Sequence, residues 1–481
     1  MSKPRAGLAL VAAALVALAG CGAGDPRPVW HTPAVAGATM TTAPGVGAPG
    51  LGDPYYPNAG NGGYDVAHYD IAVSYDPDSH RITARAAIRA TALTPLSRFN
   101  LDLRGLTVRS ATVAGKPAAT SRAGDELTLT PAEPLPAGTV FETIIEYGGK
   151  PSTYGGPGQA GGEGFVQHDG GAIALGQPES AAAWFPCNDH PADKATYDIK
   201  LTVPGDLAAL SNGVLRSRTA KGGRTTWEWA TTSPMATYLA TAVIGDYRVR
   251  TGTHDGLPVI TAVADGLPTT MDDAMARTPE VLDFLEERFG PYPFDALGGI
   301  VHDNANLRFA LETQTRPVYV SSFFLGPKPS VTVVAHELAH QWFGDSVSVR
   351  DWRDIWLNES YATYAGWLWV EHEFKRPLAT SFTTAYETAA EEVWTTPPAD
   401  PGRENMFSDS VYDRGAMTLY ALRQTVGAET FDRITREWAD KNKDGNVSTA
   451  DYIAHAEQVS GRQLDDLFQA WLYGRTRPAK P

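Results

Sequence analysis

His336-Glu337-Leu338-Ala339-His340, framed by Val333, Val334 and Phe343 and closed by Gly344, is the stretch on which the fold of this chain turns. Residues four apart on an α-helix share one face, so both imidazoles can reach a single ion, and Glu337, one step round, can face a water molecule beside it. The apolar positions supply a buried side and predict a helix from about Ser330 to Phe343. A hydrolytic zinc site needs three protein ligands and one open position. Nineteen residues beyond His340 lies Glu359, in Trp356-Leu357-Asn358-Glu359-Ser360. That interval lets the first helix end, a loop form, and a second helix, predicted from about Asp354 to Phe374, return beside it. His336, His340 and Glu359 are therefore the expected ligands of one Zn2+ ion, and Glu337 the expected base. His254, His302, His372 and His455 have no such spacing and are expected to be surface or core residues.

Upstream of this pair, Thr270 to Phe289 carries apolar groups at helical spacing and ends at Gly290-Pro291. Downstream, residues 415–475 are mostly helical in pattern. Earlier in the chain the texture is that of strands: His68 to Tyr75, then the turn Asp76-Pro77-Asp78-Ser79, then similar units to about Val249. The expected architecture is a multidomain α+β chain, with an all-β sheet domain over residues 53–252 and a mainly α, zinc-bearing domain over residues 253–481. Residues 22–52 are rich in Gly, Ala, Pro and Thr and read as a tether. Lys3 and Arg5 precede an apolar run, Ala6 to Gly20, that is too short to span a bilayer. It ends in Leu18-Ala19-Gly20-Cys21, which resembles the lipobox of bacterial lipoproteins. Residues 1–21 are thus expected to be a signal peptide with a lipidated Cys21. The enzyme would then be extracytoplasmic, touching the membrane only through that anchor, and otherwise secreted.

The chain has 481 residues, enough for two or three domains, with 43% apolar and 20% charged residues. Its formal charge of -15 repels phosphate backbones and excludes nucleic acid as a natural partner. Two cysteines, Cys21 and Cys187, build no disulfide framework, and Cys187 reads as a small buried residue. The glycine-rich stretch from Gly155 to Gly164 lacks a following Gly-Lys-Ser/Thr, so it is a loop and not a phosphate cradle.

With the metal run, its later glutamate and four further segments in hand, the chain resembles the aminopeptidase N family of zinc peptidases. Those segments are Phe185 to Ala195, Pro234 to Leu239, Ala310-Leu311-Glu312 and Tyr412-Asp413-Arg414-Gly415-Ala416. Together they cover roughly residues 53–475 in consistent order. The resemblance implies a thermolysin-like catalytic domain and a monomer acting on peptides with a free N-terminus. It implies that Glu337 is the general base, that Tyr412 stabilises the oxyanion, and that Glu312 and Ala310, assisted by Gln177, bind the substrate. Glu179 is the rival of Gln177 for that last role. Phe309 and Thr313 depart from the family's Gly-Ala-Met-Glu-Asn motif, and His190 replaces a glutamate of the first landmark in what reads as a structural position. Asn358 is either a neighbour of the ligands or structural. The chain ends about 70 residues beyond Tyr412, and by comparison with longer members the resemblance implies a more open cleft.

An endopeptidase, an epoxide hydrolase and a non-catalytic peptide-binding protein are the competing functions. Glu312 argues against the first, and the pair Glu337 and Tyr412 against the last. Residues 440–451 match the ligand positions of a calcium loop, with Asp451 at the twelfth. A polar helix-to-helix turn with an N-cap explains the same residues without metal and is the preferred reading.

Overall fold

The computed structural model describes residues 45–154, 162–304, 307–325 and 330–481. The expected signal peptide, Cys21 and most of the expected tether lie outside the described residues.

Tyr64–Asp76 lies inside an eight-stranded sheet, antiparallel to Arg81–Ala92 and parallel to Lys194–Pro204. Aromatic and β-branched residues at alternate positions give this strand one buried face. Tyr64 and Val66 are buried, then Tyr69, Ile71, Val73 and Tyr75. The change of parity comes from a bulge between Val66 and His68, whose extra residue returns the later side chains to the core. That bulge is why the alternation in the sequence is only partial.

Residues 45–52, expected in the tether, are instead part of the fold. The Gly47 N–H donates to Arg98 O at 3.0 Å and the Gly62 N–H to Ala48 O at 2.9 Å. Backbone pairing of this kind leaves no trace in composition. Asp53 then ties the segment inward: its carboxylate meets His190 Nε2 at 3.2 Å and accepts from the Trp352 N–H at 2.7 Å. His190, the departure from the family landmark, is thus the buried partner of Asp53.

A further sheet joins Tyr247–His254, Leu257–Ala264, Leu297–His302 and Val318–Val320. Its first two strands form a hairpin, and the rest add in parallel. The expected division at residues 252/253 therefore falls inside a strand, and this second sheet begins at Tyr247. Strands of both sheets look alike in sequence; only the pairing separates them.

The single helix expected over Thr270 to Phe289 is two, α1 (Thr270–Met275) and α2 (Thr278–Phe289), with Pro279 in the first turn of α2. Proline lacks an N–H and is tolerated only there, so it sets a helix start. The metal helix, α3 (Thr332–Ala339), is shorter than expected: it stops at His340 because Gly344, at φ 136°, turns the chain back. A Cβ at Gly344 would lie 3.3 Å from His340 Nδ1. A short turn, Trp352–Asp354, leads into α4 (Trp356–Phe374), which is buried along most of its length. The helix Gly415–Val426 packs so closely on α4 that a Cβ at Gly415 would lie 1.7 Å from Ser360 Oγ. No helix among the described residues is long and apolar enough to cross a membrane.

At residues 440–451, Asn446–Val447 pairs with Ser348–Val349, and Ser448 caps the helix Thr449–Ser460 in a reciprocal box with Asp451. The Asp451 carboxylate also meets Arg350 at 3.2 Å. The residue at the twelfth calcium position is engaged as a helix cap.

Candidate active site

The packing of α3 against α4 brings the two halves of the metal pattern together. His336 and His340 project from one face of α3, and Glu359 comes from the first turn of α4. Glu359 Oε2 lies 3.3 Å from His340 Nε2 and 3.6 Å from His336 Nε2. Ligand atoms about 2.0–2.1 Å from a tetrahedral zinc stand roughly 3.4 Å apart, so the spacing fits that ion. His340 Nδ1 lies 3.1 Å from the Phe343 carbonyl; donating there leaves Nε2 free as a ligand. Burial favours protonation of Glu359, but His340 and His336 outweigh it and hold its carboxyl down at about 2. The donor set is two neutral-capable imidazoles and one ionised carboxylate, the chemistry zinc takes in hydrolytic sites.

Glu337 is buried beside them, and the ligand atoms of Glu312, Glu337 and His340 lie within 4.8 Å of one another. Burial pushes the Glu337 carboxyl well above its usual range, against the opposing charge of His340. That is the condition of a carboxyl suited to carry a proton.

Glu312 sits on the loop between Leu297–His302 and Val318–Val320. The Gln177 side-chain amide donates to its Oε1 at 3.0 Å. Gln341 holds the loop from the metal helix: its Nε2 donates to Glu312 O at 3.0 Å, and its Oε1 accepts from the Thr315 N–H at 2.7 Å. Thr313 Oγ1 donates to Arg316 O at 2.7 Å and closes the turn after the carboxylate. This is what the non-family threonine does locally. Burial raises the Glu312 carboxyl, as it does the Tyr238 phenol beside it.

Tyr412 lies in a wide helical turn, Ser410–Arg414, and its ring stacks on His336 with centroids 6.0 Å apart. Arg414, fully buried, donates to the carbonyls of Trp394, Trp471 and Gly474 at 2.7–2.9 Å and pins that turn to the C-terminal segment. Wide turns of this kind recur at functional sites because they re-aim one side chain.

All eight residues singled out in the sequence line one cavity of about 430 Å3: Gln177, Ala310, Glu312, His336, Glu337, His340, Glu359 and Tyr412. Glu179 does not; it pairs with Arg403 at 3.6 Å and lines a separate cavity. Asn358 is buried against Gly344. Cys187 is buried and bridges Asp102 through the backbone. His254 lies 2.6 Å from Asp283 and His455 2.9 Å from Ile434 O, both away from the cavity. Sequence reasoning missed Gln341, Tyr238, and the wall residues Arg308, Phe323, Trp367 and Val370. Gln341 directly follows His340, but nothing in a lone sequence says that its amide reaches the loop at Glu312.

A β-rich domain followed by a helical domain with a two-His, one-Glu metal site defines a zinc metallopeptidase. The chain belongs to peptidase family M1: the profile of the Peptidase M1 N-terminal domain matches residues 66–239, and that of the Peptidase family M1 domain residues 273–471. It is 30% identical over 322 residues to Aminopeptidase M1 of Arabidopsis thaliana, a match covering 62% of this chain and 36% of that protein. Against Aminopeptidase M1-D of Oryza sativa subsp. japonica it is 30% identical over 322 residues, 62% of this chain and 37% of that one. The chain thus spans a little over a third of the length of these relatives. The crystal structure of an M1 zinc metallopeptidase from Deinococcus radiodurans superposes with a TM-score of 0.82 at 29% identity, covering 90% of this chain and 99% of that one. A mutant of that enzyme is known bound to a Tyr-Ser-Ala substrate. Zinc is the metal of the family.

Proposed function

We propose that this chain is a zinc-dependent aminopeptidase that removes residues from the free N-terminus of peptides. The observation that carries this reading is Glu312, held by Gln177 and Gln341 at the edge of the metal cavity. A buried carboxylate there pairs with a terminal ammonium and obstructs a peptide that continues past it. His336, His340 and Glu359 would hold the zinc ion, which would supply Lewis-acid polarisation and a more acidic water. The chain's own groups do the rest. Glu337 accepts the proton of the attacking water and passes it to the leaving amine. The Tyr412 hydroxyl donates a hydrogen bond to the oxygen that gains charge. Glu312 and Gln177 fix the ammonium and so set which bond meets Glu337. A panel of aminoacyl-arylamides, each free and N-acetylated, tests the reading: free amines should be cleaved and acetylated ones not. Equal rates on both would overturn it.

The extracytoplasmic, lipid-anchored location is likewise proposed, from Leu18-Ala19-Gly20-Cys21. In a bacterial host the wild-type chain should partition into detergent and Cys21→Ser into the aqueous phase. Identical partitioning would refute the anchor.

A further inference from the structure

Each carboxylate of the active-site cavity has a partner or a chemical role. Glu359 faces the two histidines, Glu312 meets Gln177, and Glu337 is the base. One cationic side chain has neither. Arg308 lines the same cavity and is exposed, and no hydrogen bond or ion pair joins it to another of the described residues. The histidines aside, it is the only basic residue among the described residues lining that cavity. The same cavity is also lined by the apolar side chains of Phe309, Phe323, Val333, Trp367 and Val370.

Arg308 stands four residues before Glu312 on one loop, and four residues span at most about 14 Å of chain. Arg308 and Glu312, the group proposed to fix the substrate's ammonium, thus reach one cavity from the same short loop. A guanidinium offers a planar fork of donors that matches a carboxylate in two parallel hydrogen bonds. The chain's charge of -15 otherwise repels acidic peptides, so a preference for them needs a local cation.

Resting on the aminopeptidase reading, we infer that Arg308 is a specificity-determining residue that receives the side-chain carboxylate of the substrate's first residue. The substrates favoured are peptides beginning with Glu or Asp.

The test compares isosteres: α-glutamyl- against glutaminyl-arylamide, and aspartyl- against asparaginyl-arylamide, none of which has a C-terminal carboxylate. Wild-type enzyme should show kcat/KM roughly 5- to 10-fold higher for the acid of each pair, narrowing as salt is added. In Arg308→Gln the ratio should fall to about one, and Arg308→Lys should restore part of it. A wild-type ratio at or below one, or a ratio unchanged in Arg308→Gln, overturns the inference while cleavage of alanyl-arylamide leaves the aminopeptidase reading intact. No turnover of any free-amine substrate overturns both. A second arm uses dipeptides with free and amidated C-termini. If Arg308→Gln affects only those with a free C-terminus, the guanidinium reads the other end of the substrate, and the assignment to the first residue is wrong.

Discussion

Gln177 and Glu312, 135 residues apart in sequence, meet at 3.0 Å across the junction between the β-rich domain and the peptidase domain. One domain supplies the amide and the other the carboxylate. This part of the cavity wall is thus built only when the two domains are packed together.

That contact predicts the behaviour of Gln177→Leu. Glu312 would lose a donor, so its aim at a terminal ammonium loosens. A hydrogen bond to a charged group of this kind is worth enough to lower kcat/KM about tenfold on free-amine arylamides. Zinc content should not change. Unaltered kcat/KM would show that Glu312 acts without Gln177.

Glu337→Gln should retain one zinc per chain and lose roughly 10²–10⁴-fold or more in kcat, because the base is gone and the ligands are not. His340→Ala should lose the metal. Elemental analysis paired with steady-state rates checks both, and full zinc in His340→Ala would refute the ligand assignment.

Tyr412→Phe keeps the ring that stacks on His336 and deletes the hydroxyl. An interaction made chiefly in the transition state is expected, so kcat should fall about 10²–10³-fold with KM little changed. A rise in KM at constant kcat would instead make Tyr412 a ground-state binding residue.

His190→Ala strands the Asp53 carboxylate in a site where both partners are nearly fully buried. Asp53 keeps its backbone donors at Tyr56 and Trp352. The loss should therefore be moderate, about 2–3 kcal/mol of stability, seen as a lower Tm. An unchanged melting curve would mean that the pair contributes nothing.

Glu163 predicts a pH dependence away from the metal. Burial pushes its carboxyl up to about 9, against the opposing Ser180 hydroxyl. The folded chain then keeps a proton that the unfolded chain releases near the ordinary glutamate pKa, about 4.3. Folded protein binds more protons between those limits, so stability from this group is present at acid pH and lost as pH rises towards 9. Glu163→Gln cannot ionise. Its Tm should exceed that of the wild type by a margin that grows from pH 5 to pH 9. Parallel curves would exclude the buried acid.

Much of the site was legible because its chemistry is local. His336, Glu337 and His340 share one helical face by spacing alone, and Glu359 needed only a returning helix. The EF-hand-like run at residues 440–451 was equally local, and its capping box could be read from Ser448 and Asp451. The segment at residues 45–52 was not legible, since backbone hydrogen bonds hold it and the glycines that its turns and close contacts require read as tether composition. The break between α1 and α2 was marked by Pro279, which the helical periodicity masked.

By itself, the sequence determined the class of chemistry, the candidate metal donors and the order of a β-rich part before a helical one, because spacing and periodicity act over a few residues. Only the tertiary structure decided where the second sheet begins, that Gln177 and not Glu179 meets Glu312, and that Gln341 ties the metal helix to the substrate loop. It also decided that Arg308, in the cavity wall, pairs with no other described residue. These are contacts between residues far apart in the chain. Their geometry depends on how distant segments pack, which no local pattern encodes.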